Sequence, residues 1–234
     1  MTVMAPPLAL GQSVHEVVEA LSILPVEERF TESLLKKFDK VWVKVAGELG
    51  GFRSFEQELE YKDRGINMLQ RIIDNPGPIL EKAVKIKQDL PHYWLTEEDD
   101  IILCGKVDWL KYSEEDDSVE IIDFKTGKHE EDGKSLQLPI YLLLATNCQK
   151  RKIKGASYWY LERDNKPTSV VLPEIDEAFS NVLEIGRKIV LARKLNHLVC
   201  KSGGCRHCDP LEKVYRGEGK FVGLSEYHQD IYII

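Results

Sequence analysis

At 234 residues, with 43% hydrophobic and 30% charged side chains, the chain has an ordinary globular composition and enough length for one substantial core. A net charge of −7 argues against a broad basic surface that coats nucleic acid, but leaves room for clustered carboxylates whose bound cations reverse the local sign. No apolar run approaches the roughly 18–20 residues of a membrane span, the opening Met1–Gln12 lacks a basic signal region, and five unevenly spaced cysteines do not form a disulfide framework, so a cytoplasmic protein without membrane contact is expected.

The first third reads as helical. Val14, Val17, Val18 and Leu21 recur at helical spacing after Gly11-Gln12-Ser13, a plausible start. A second helix is predicted from about 32 to 45 on Leu34, Leu35, Phe38, Val41 and Trp42. A third, about 55 to 73, stops at the breaker cluster Asn75-Pro76-Gly77-Pro78. The period then changes. Residues 83–96 look extended, and Ile101–Leu110 and Val119–Lys125 read as two strands of a hairpin closed by the acidic segment Ser113–Ser118. A helix over about 135–147 follows, with Pro139 tolerated in its first turn. Two further strands (156–161 and 169–172) and a long helix (175–195) lead to a cysteine cluster. Helices first and then strands, helix, strands and helix imply one α/β domain over 1–234: a helical front end (1–82), a core (83–198) and a cysteine-bearing C-terminal segment (199–234).

The strand Glu120–Lys125 carries the main chemical signal. Side chains alternate along a strand, so Asp123 and Lys125 emerge together on one face, with Ile122 and Phe124 on the other. A carboxylate beside an ammonium suits metal-assisted phosphodiester hydrolysis: the acid holds a divalent cation and the amine steadies water and developing negative charge. An ordinary surface ion pair has the same sequence, so the neighbours decide. Asp108 lies one hairpin away on a run of β character, within reach of a cation shared with Asp123. Hard ions such as Mg²⁺ or Mn²⁺ favour such oxygens and keep several waters. His15 falls at the edge of its helix's apolar stripe and is a candidate ligand, with Glu19 one turn on able to orient it. Gln137 and Tyr141 share a helix face and are placed to touch phosphate oxygens or to hold the lysine. Lys150, Arg151, Lys152 and Lys154 form a basic stretch that reads equally as a solvated loop or a phosphate contact.

Four short motifs in order, G-x-x-x-H at Gly11–His15, G-x-x-D at Gly105–Asp108, D-F-K-T-G at Asp123–Gly127 and Q-x-x-x-Y at Gln137–Tyr141, resemble the RecB-like branch of the PD-(D/E)XK nuclease superfamily over about residues 8–210. That branch includes the nuclease domains of recombination helicase-nucleases and the exonucleases of CRISPR adaptation. The resemblance implies a restriction-endonuclease-like α/β fold, a mixed β-sheet flanked by helices. It implies His15, Asp108 and Asp123 as metal ligands, with the Phe124 backbone carbonyl as a further one. Lys125 is then the catalytic lysine, and Gln137 and Tyr141 contact DNA or support the site.

Cys200, Cys205 and Cys208 lie within nine residues and can supply thiolates to zinc or iron–sulfur. Many members of the resembled branch hold a [4Fe–4S] cluster with three such cysteines and a fourth upstream of the G-x-x-x-H helix, commonly in a Cys-Pro dipeptide. No cysteine precedes His15, and Cys104 and Cys148 are poor substitutes. The expectation is a chain truncated at its front or started at an internal Met, with a full cluster only in a longer form. Zinc held by the three cysteines, with His207 as an awkward fourth ligand, is the other possibility. The expected function is a Mg²⁺- or Mn²⁺-dependent DNA exonuclease in repair, recombination or CRISPR adaptation, acting on single strands or duplex ends. Without a Walker-type motif it needs a helicase or other recombination or adaptation partner for any unwinding. The alternatives are a catalytically silent DNA-binding or assembly module and a structure-specific endonuclease.

Overall fold

A computed structural model describes residues 1–200, 203–225 and 228–234. In chain order the elements are β1 (Thr2–Val3), α1 (Pro6–Glu19), α2 (Leu34–Trp42), α3 (Phe55–Asp74), β2 (His92–Thr96), β3 (Ile101–Cys104), β4 (Trp109–Ser113), β5 (Ser118–Lys125), α4 (Gln137–Cys148), β6 (Lys152–Tyr160), β7 (Thr168–Val170), α5 (Ile175–Lys194), α6 (Asp209–Tyr215), β8 (Lys220–Leu224) and β9 (Asp230–Ile233). They form two compact units, one of residues 1–17, 32–70 and 199–234, the other of residues 18–31 and 71–198.

The first unit joins both ends of the chain. β1 pairs in parallel with β9, Thr2 opposite Ile231, and β9 pairs antiparallel with β8. The Met4 amide donates to the Tyr232 carbonyl at 2.7 Å, so backbone bonding ties the ends together without any help from the cysteines. An aromatic run fills the helical part: Phe38 against Trp42 (5.2 Å between ring centroids), Trp42 stacked on Phe52 (5.6 Å) and Phe52 against Tyr61 (6.0 Å). Gly65 on α3 is required by this packing, because a Cβ there would stand 2.3 Å from the Phe38 ring. Glu58 fixes the turn between α2 and α3, accepting from the Trp42 indole (3.0 Å) and the Gly47 amide (2.9 Å).

The second unit is built on the sheet β4-β5-β6-β7, in which β4·β5 and β6·β7 are antiparallel and β5·β6 parallel. A parallel pair needs a crossover, and α4 supplies it. Its sequence QLPIYLLLATNC is apolar nearly all round, the pattern of a helix covered on more than one side. Leu138 and Ala145 pack with Val119, Ile121 and Ala156 of the sheet, while Leu142 and Leu143 pack with Leu95 of β2 and with Ala178 and Val182 of α5. Burial of these side chains, at roughly 1.5–3 kcal/mol each, is the main force holding α4 to the sheet. On the other sheet face Phe124 sits between Trp109 (6.2 Å, edge-on) and Trp159 (5.9 Å). Arg29, only 2% exposed, lies over the Trp109 ring at 5.0 Å and donates to the carbonyls of Leu24, Ile79 and Glu81, pinning residues 24–29 to residues 79–81.

The structure moves several predicted boundaries. α1 begins at Pro6 and runs through Gly11-Gln12-Ser13, because Pro6 and Pro7 suit a first turn whose amides need no partner. The run 101–110 is not one strand: β3 ends at Cys104 and pairs with β2, and the hairpin to β5 starts only at Trp109. Asp108 therefore stands just ahead of β4, outside any strand. Within 83–96 only Ala83 bridges β4, through Lys111, before β2 begins at His92. Pro139 is the third residue of α4, where its missing amide costs nothing.

Candidate active site

The register of β4 against β5 creates the site. Trp109 pairs with Ile122, so β5 overruns its neighbour by three residues, Asp123, Phe124 and Lys125. The Phe124 amide would meet empty space on that side. Instead it donates to Asp108 Oδ2 at 3.0 Å, which fixes the carboxylate at the strand end. Period-2 alternation puts Asp123 and Lys125 on the face of Val119 and Ile121, the face covered by α4. The first two turns of α4 thus meet them with Gln137 and Tyr141.

Hydrogen bonds link most of the polar groups in this cluster. Tyr141 donates to Asp108 Oδ1 (3.0 Å), and the Gln137 amide nitrogen donates to the Tyr141 hydroxyl (3.2 Å) and to Asp123 Oδ1 (3.4 Å). Lys125 Nζ donates to Gln137 Oε1, lies 2.9 Å from Glu131 Oε2, and stands 5.0 Å above the Tyr158 ring. It is also 2.9 Å from Asp123 Oδ2, yet that oxygen is buried with no aligned hydrogen bond, so the contact is ionic only. Asp123 is fully buried and Asp108 is 5% exposed. Burial, and then the neighbouring Asp108, push the Asp123 carboxyl up to about 7, against a pull downward from Lys125. Burial lowers the Lys125 ammonium, but Asp123 and Glu131 outweigh it and hold the group above the ordinary lysine range. Burial, with Asp108 and Asp123, raises the Tyr141 phenol, so it remains a donor. Two close buried carboxylates, one with an oxygen lacking an aligned donor, make a site short of positive charge. That donor set fits a hard divalent cation.

Five of the residues predicted from sequence, Asp108, Asp123, Lys125, Gln137 and Tyr141, come together here, with Phe124 joined through its backbone. Glu19, at the end of α1, brings a carboxylate oxygen within 4.8 Å of one of Asp108. His15 lies one turn earlier on the same helix, half-buried, in the part of the chain assigned to the first unit. Glu131 and Tyr158 were not foreseen. The acidic run Glu130-Glu131-Asp132 looks like a solvated loop, and nothing in its spacing points to Lys125.

The cysteines belong to the first unit. The sulfurs of Cys200, Cys205 and Cys208 lie within 4.8 Å of one another, with Cys205 and Cys208 at 3.8 Å, close enough for three thiolates to share an ion. None of the five cysteines is in a disulfide. Cys104 ends β3 and Cys148 ends α4, both in the second unit. His207 is exposed, accepts from Arg206 Nε at 3.3 Å, and is not part of the three-sulfur group. The basic stretch is partly neutralised by the β4–β5 turn, Arg151 pairing with Asp117 (3.0 Å) and Lys154 approaching Asp116 (3.8 Å).

The family model of the PD-(D/E)XK nuclease superfamily matches residues 2–210. The chain belongs to the PD-(D/E)XK nuclease superfamily. Its mixed α/β architecture is consistent with the restriction-endonuclease-like fold of these nucleases, and membership supports a phosphodiester hydrolase that uses divalent metal. No curated protein matches it. Among the described residues no helix is long and apolar enough to cross a membrane.

Proposed function

We propose that the protein is a Mg²⁺- or Mn²⁺-dependent deoxyribonuclease of the RecB-like branch, an exonuclease on single strands or duplex ends. Its setting is cytoplasmic DNA repair, recombination or CRISPR adaptation, beside a helicase or adaptation partner. Residues 1–234 act in this reading as one nuclease domain. The observation that carries it is the buried Asp108–Asp123 pair with Lys125 on the same strand face, all held by Gln137 and Tyr141.

Asp108, Asp123, His15 and the Phe124 carbonyl hold the cation in this reading, with Glu19 beside Asp108. A bound divalent cation supplies Lewis-acid charge stabilisation and an acidified water at neutral pH. Asp108 is oriented from both oxygens, by the Phe124 amide and the Tyr141 hydroxyl. Lys125 stays protonated and offers a positive charge to the phosphate oxygens as negative charge develops, a role worth several kcal/mol in a partly dry site. Gln137 bridges Asp123, Tyr141 and Lys125, so a single side chain fixes the spacing of acid and base. The three cysteines hold zinc or an iron–sulfur cluster in this reading.

The test uses labelled single-stranded, duplex and circular single-stranded DNA with Mn²⁺. Wild type should shorten linear DNA from its ends and leave circles intact, while Asp123→Ala does neither. Equal inactivity of both proteins would remove the catalytic claim, and cutting of circles would replace exonuclease by endonuclease.

A further inference from the structure

The loop between β5 and α4 carries a built contact to the reactive lysine that the four motifs do not include. Lys125 and Tyr160 are partners in the β5–β6 ladder. The Tyr160 hydroxyl reaches over this end of the sheet and accepts from the Glu131 amide at 2.9 Å. Arg163 lies on the Tyr160 ring at 4.2 Å and pairs with Glu130 at 3.2 Å, a second anchor one residue away. The Glu131 carboxylate also accepts from the Ser135 hydroxyl, which ties it to the start of α4. Backbone and side chain are therefore both fixed, and Glu131 Oε2 is presented 2.9 Å from Lys125 Nζ.

An ammonium has three protons and no acceptor. Gln137 Oε1 and Glu131 Oε2 take two of them, and neither group belongs to the carboxylate pair proposed for the cation. The third is left on the side of Asp123 Oδ2, which is near at 2.9 Å but not aligned as an acceptor. A surface ion pair would hold nothing in place, but the Lys125 side chain is only 13% exposed and cannot swing into solvent without losing both partners.

Resting on the nuclease reading above, we propose that Glu131 is a positioning residue for the reaction: with Gln137 it orients the Lys125 ammonium so that one N–H faces the reacting phosphate. In Glu131→Ala the ammonium keeps Gln137 but loses its second anchor, and it opens to water on the side that Glu131 leaves.

The experiment compares wild type, Glu131→Gln, Glu131→Ala, Asp123→Ala and Lys125→Ala on one DNA oligonucleotide, reading kcat and KM, melting temperature and Mn²⁺ affinity. Misplacing a catalytic group by about 1 Å costs up to about a hundredfold, so Glu131→Ala should lose about 10–100-fold in kcat with KM within about threefold. Its Mn²⁺ affinity and melting temperature should stay near wild type, and Glu131→Gln, which keeps an acceptor oxygen, should recover part of the loss. A kcat within twofold of wild type in Glu131→Ala would overturn the proposal. So would no recovery in Glu131→Gln, or a fall in Mn²⁺ affinity matching that of Asp123→Ala, which would make Glu131 a ligand. A second readout needs no turnover. The Hζ–Nζ NMR signal of Lys125, assigned by its loss in Lys125→Ala, should be exchange-protected in wild type and lost in Glu131→Ala. If wild type proves inactive while that signal behaves as described, the nuclease reading fails and the placement of Lys125 by Glu131 survives. If the signal persists in Glu131→Ala, the placement itself is wrong.

Discussion

The carboxylate–lysine cluster of the second unit and the three cysteines of the first are both candidate metal sites, and they are held in different ways. Asp108, Asp123, Lys125, Gln137 and Tyr141 are fixed by strand register, by a helix buried on two sides and by bonds among themselves. Cys200, Cys205 and Cys208 sit on loop and turn between α5 and α6, partly exposed, with Cys205 and Cys208 joined by one turn of backbone hydrogen bonding and the three sulfurs brought together at their tips. A site of the first kind is preorganised before any ion arrives. One of the second kind gains its rigidity from the ion, because metal binding and folding are coupled there.

The largest expected effect tests the preorganised site. Asp123→Ala should lower DNA hydrolysis by about a thousandfold or more, since it removes a proposed ligand and one of the two carboxylates beside Lys125. The folded protein and the metal content of the cysteines should be unchanged, as metal analysis and circular dichroism would report. Cys205→Ser should do the reverse, removing that bound metal and lowering the melting temperature. If Asp123→Ala unfolds the second unit, or Cys205→Ser leaves both metal content and melting untouched, the contrast fails.

Arg29→Ala comes next. It takes the donor from three carbonyls, one of them buried, and uncovers Trp109, the residue after Asp108, and should cost about 2–4 kcal/mol in denaturant melts. A cost under about 0.5 kcal/mol would show that residues 24–29 do not brace the site.

The pH dependence of the metal-free protein sharpens the same point. The Asp123 carboxyl stands at about 7 when folded against 3.8 as its ordinary value, so the folded state binds this proton more tightly. Below about pH 4 the group is protonated in both states and carries no penalty. As pH rises towards about 7 the unfolded chain releases the proton first, and stability falls. Wild type should therefore lose roughly 2–4 kcal/mol relative to Asp123→Asn between about pH 4 and pH 7, and added Mn²⁺ should restore much of it. A flat difference across that range would mean that burial and the neighbouring Asp108 do not raise the Asp123 carboxyl in the fold. The smallest effect is Tyr141→Phe, which removes one bond to Asp108 and should reduce kcat about tenfold with little change in melting.

Residue chemistry was legible where it follows local rules. Alternation along β5 placed Asp123 and Lys125 on one face, and helical spacing placed Gln137 and Tyr141 together. α3, α4 and α5 lie within a few residues of their predicted spans, since apolar period and breakers act over one or two turns. The continuous run 101–110 misled, because β character does not say which partner a strand takes, and β3 chose β2. Asp108 was found by its motif, but its position ahead of β4, with a carboxylate in place of a ladder bond, was not readable.

By itself the sequence determined the kind of chemistry and the order of the elements, because residue type and local period act over a few neighbours. Only the tertiary structure decided which groups share space: that β5 overruns β4 by three residues, that Asp123 keeps an oxygen without an aligned donor, and that Glu131 is carried to Lys125 on a loop pinned by Tyr160. Those facts depend on register and on burial of α4 between the sheet and α5, which are set by contacts between residues far apart in the chain.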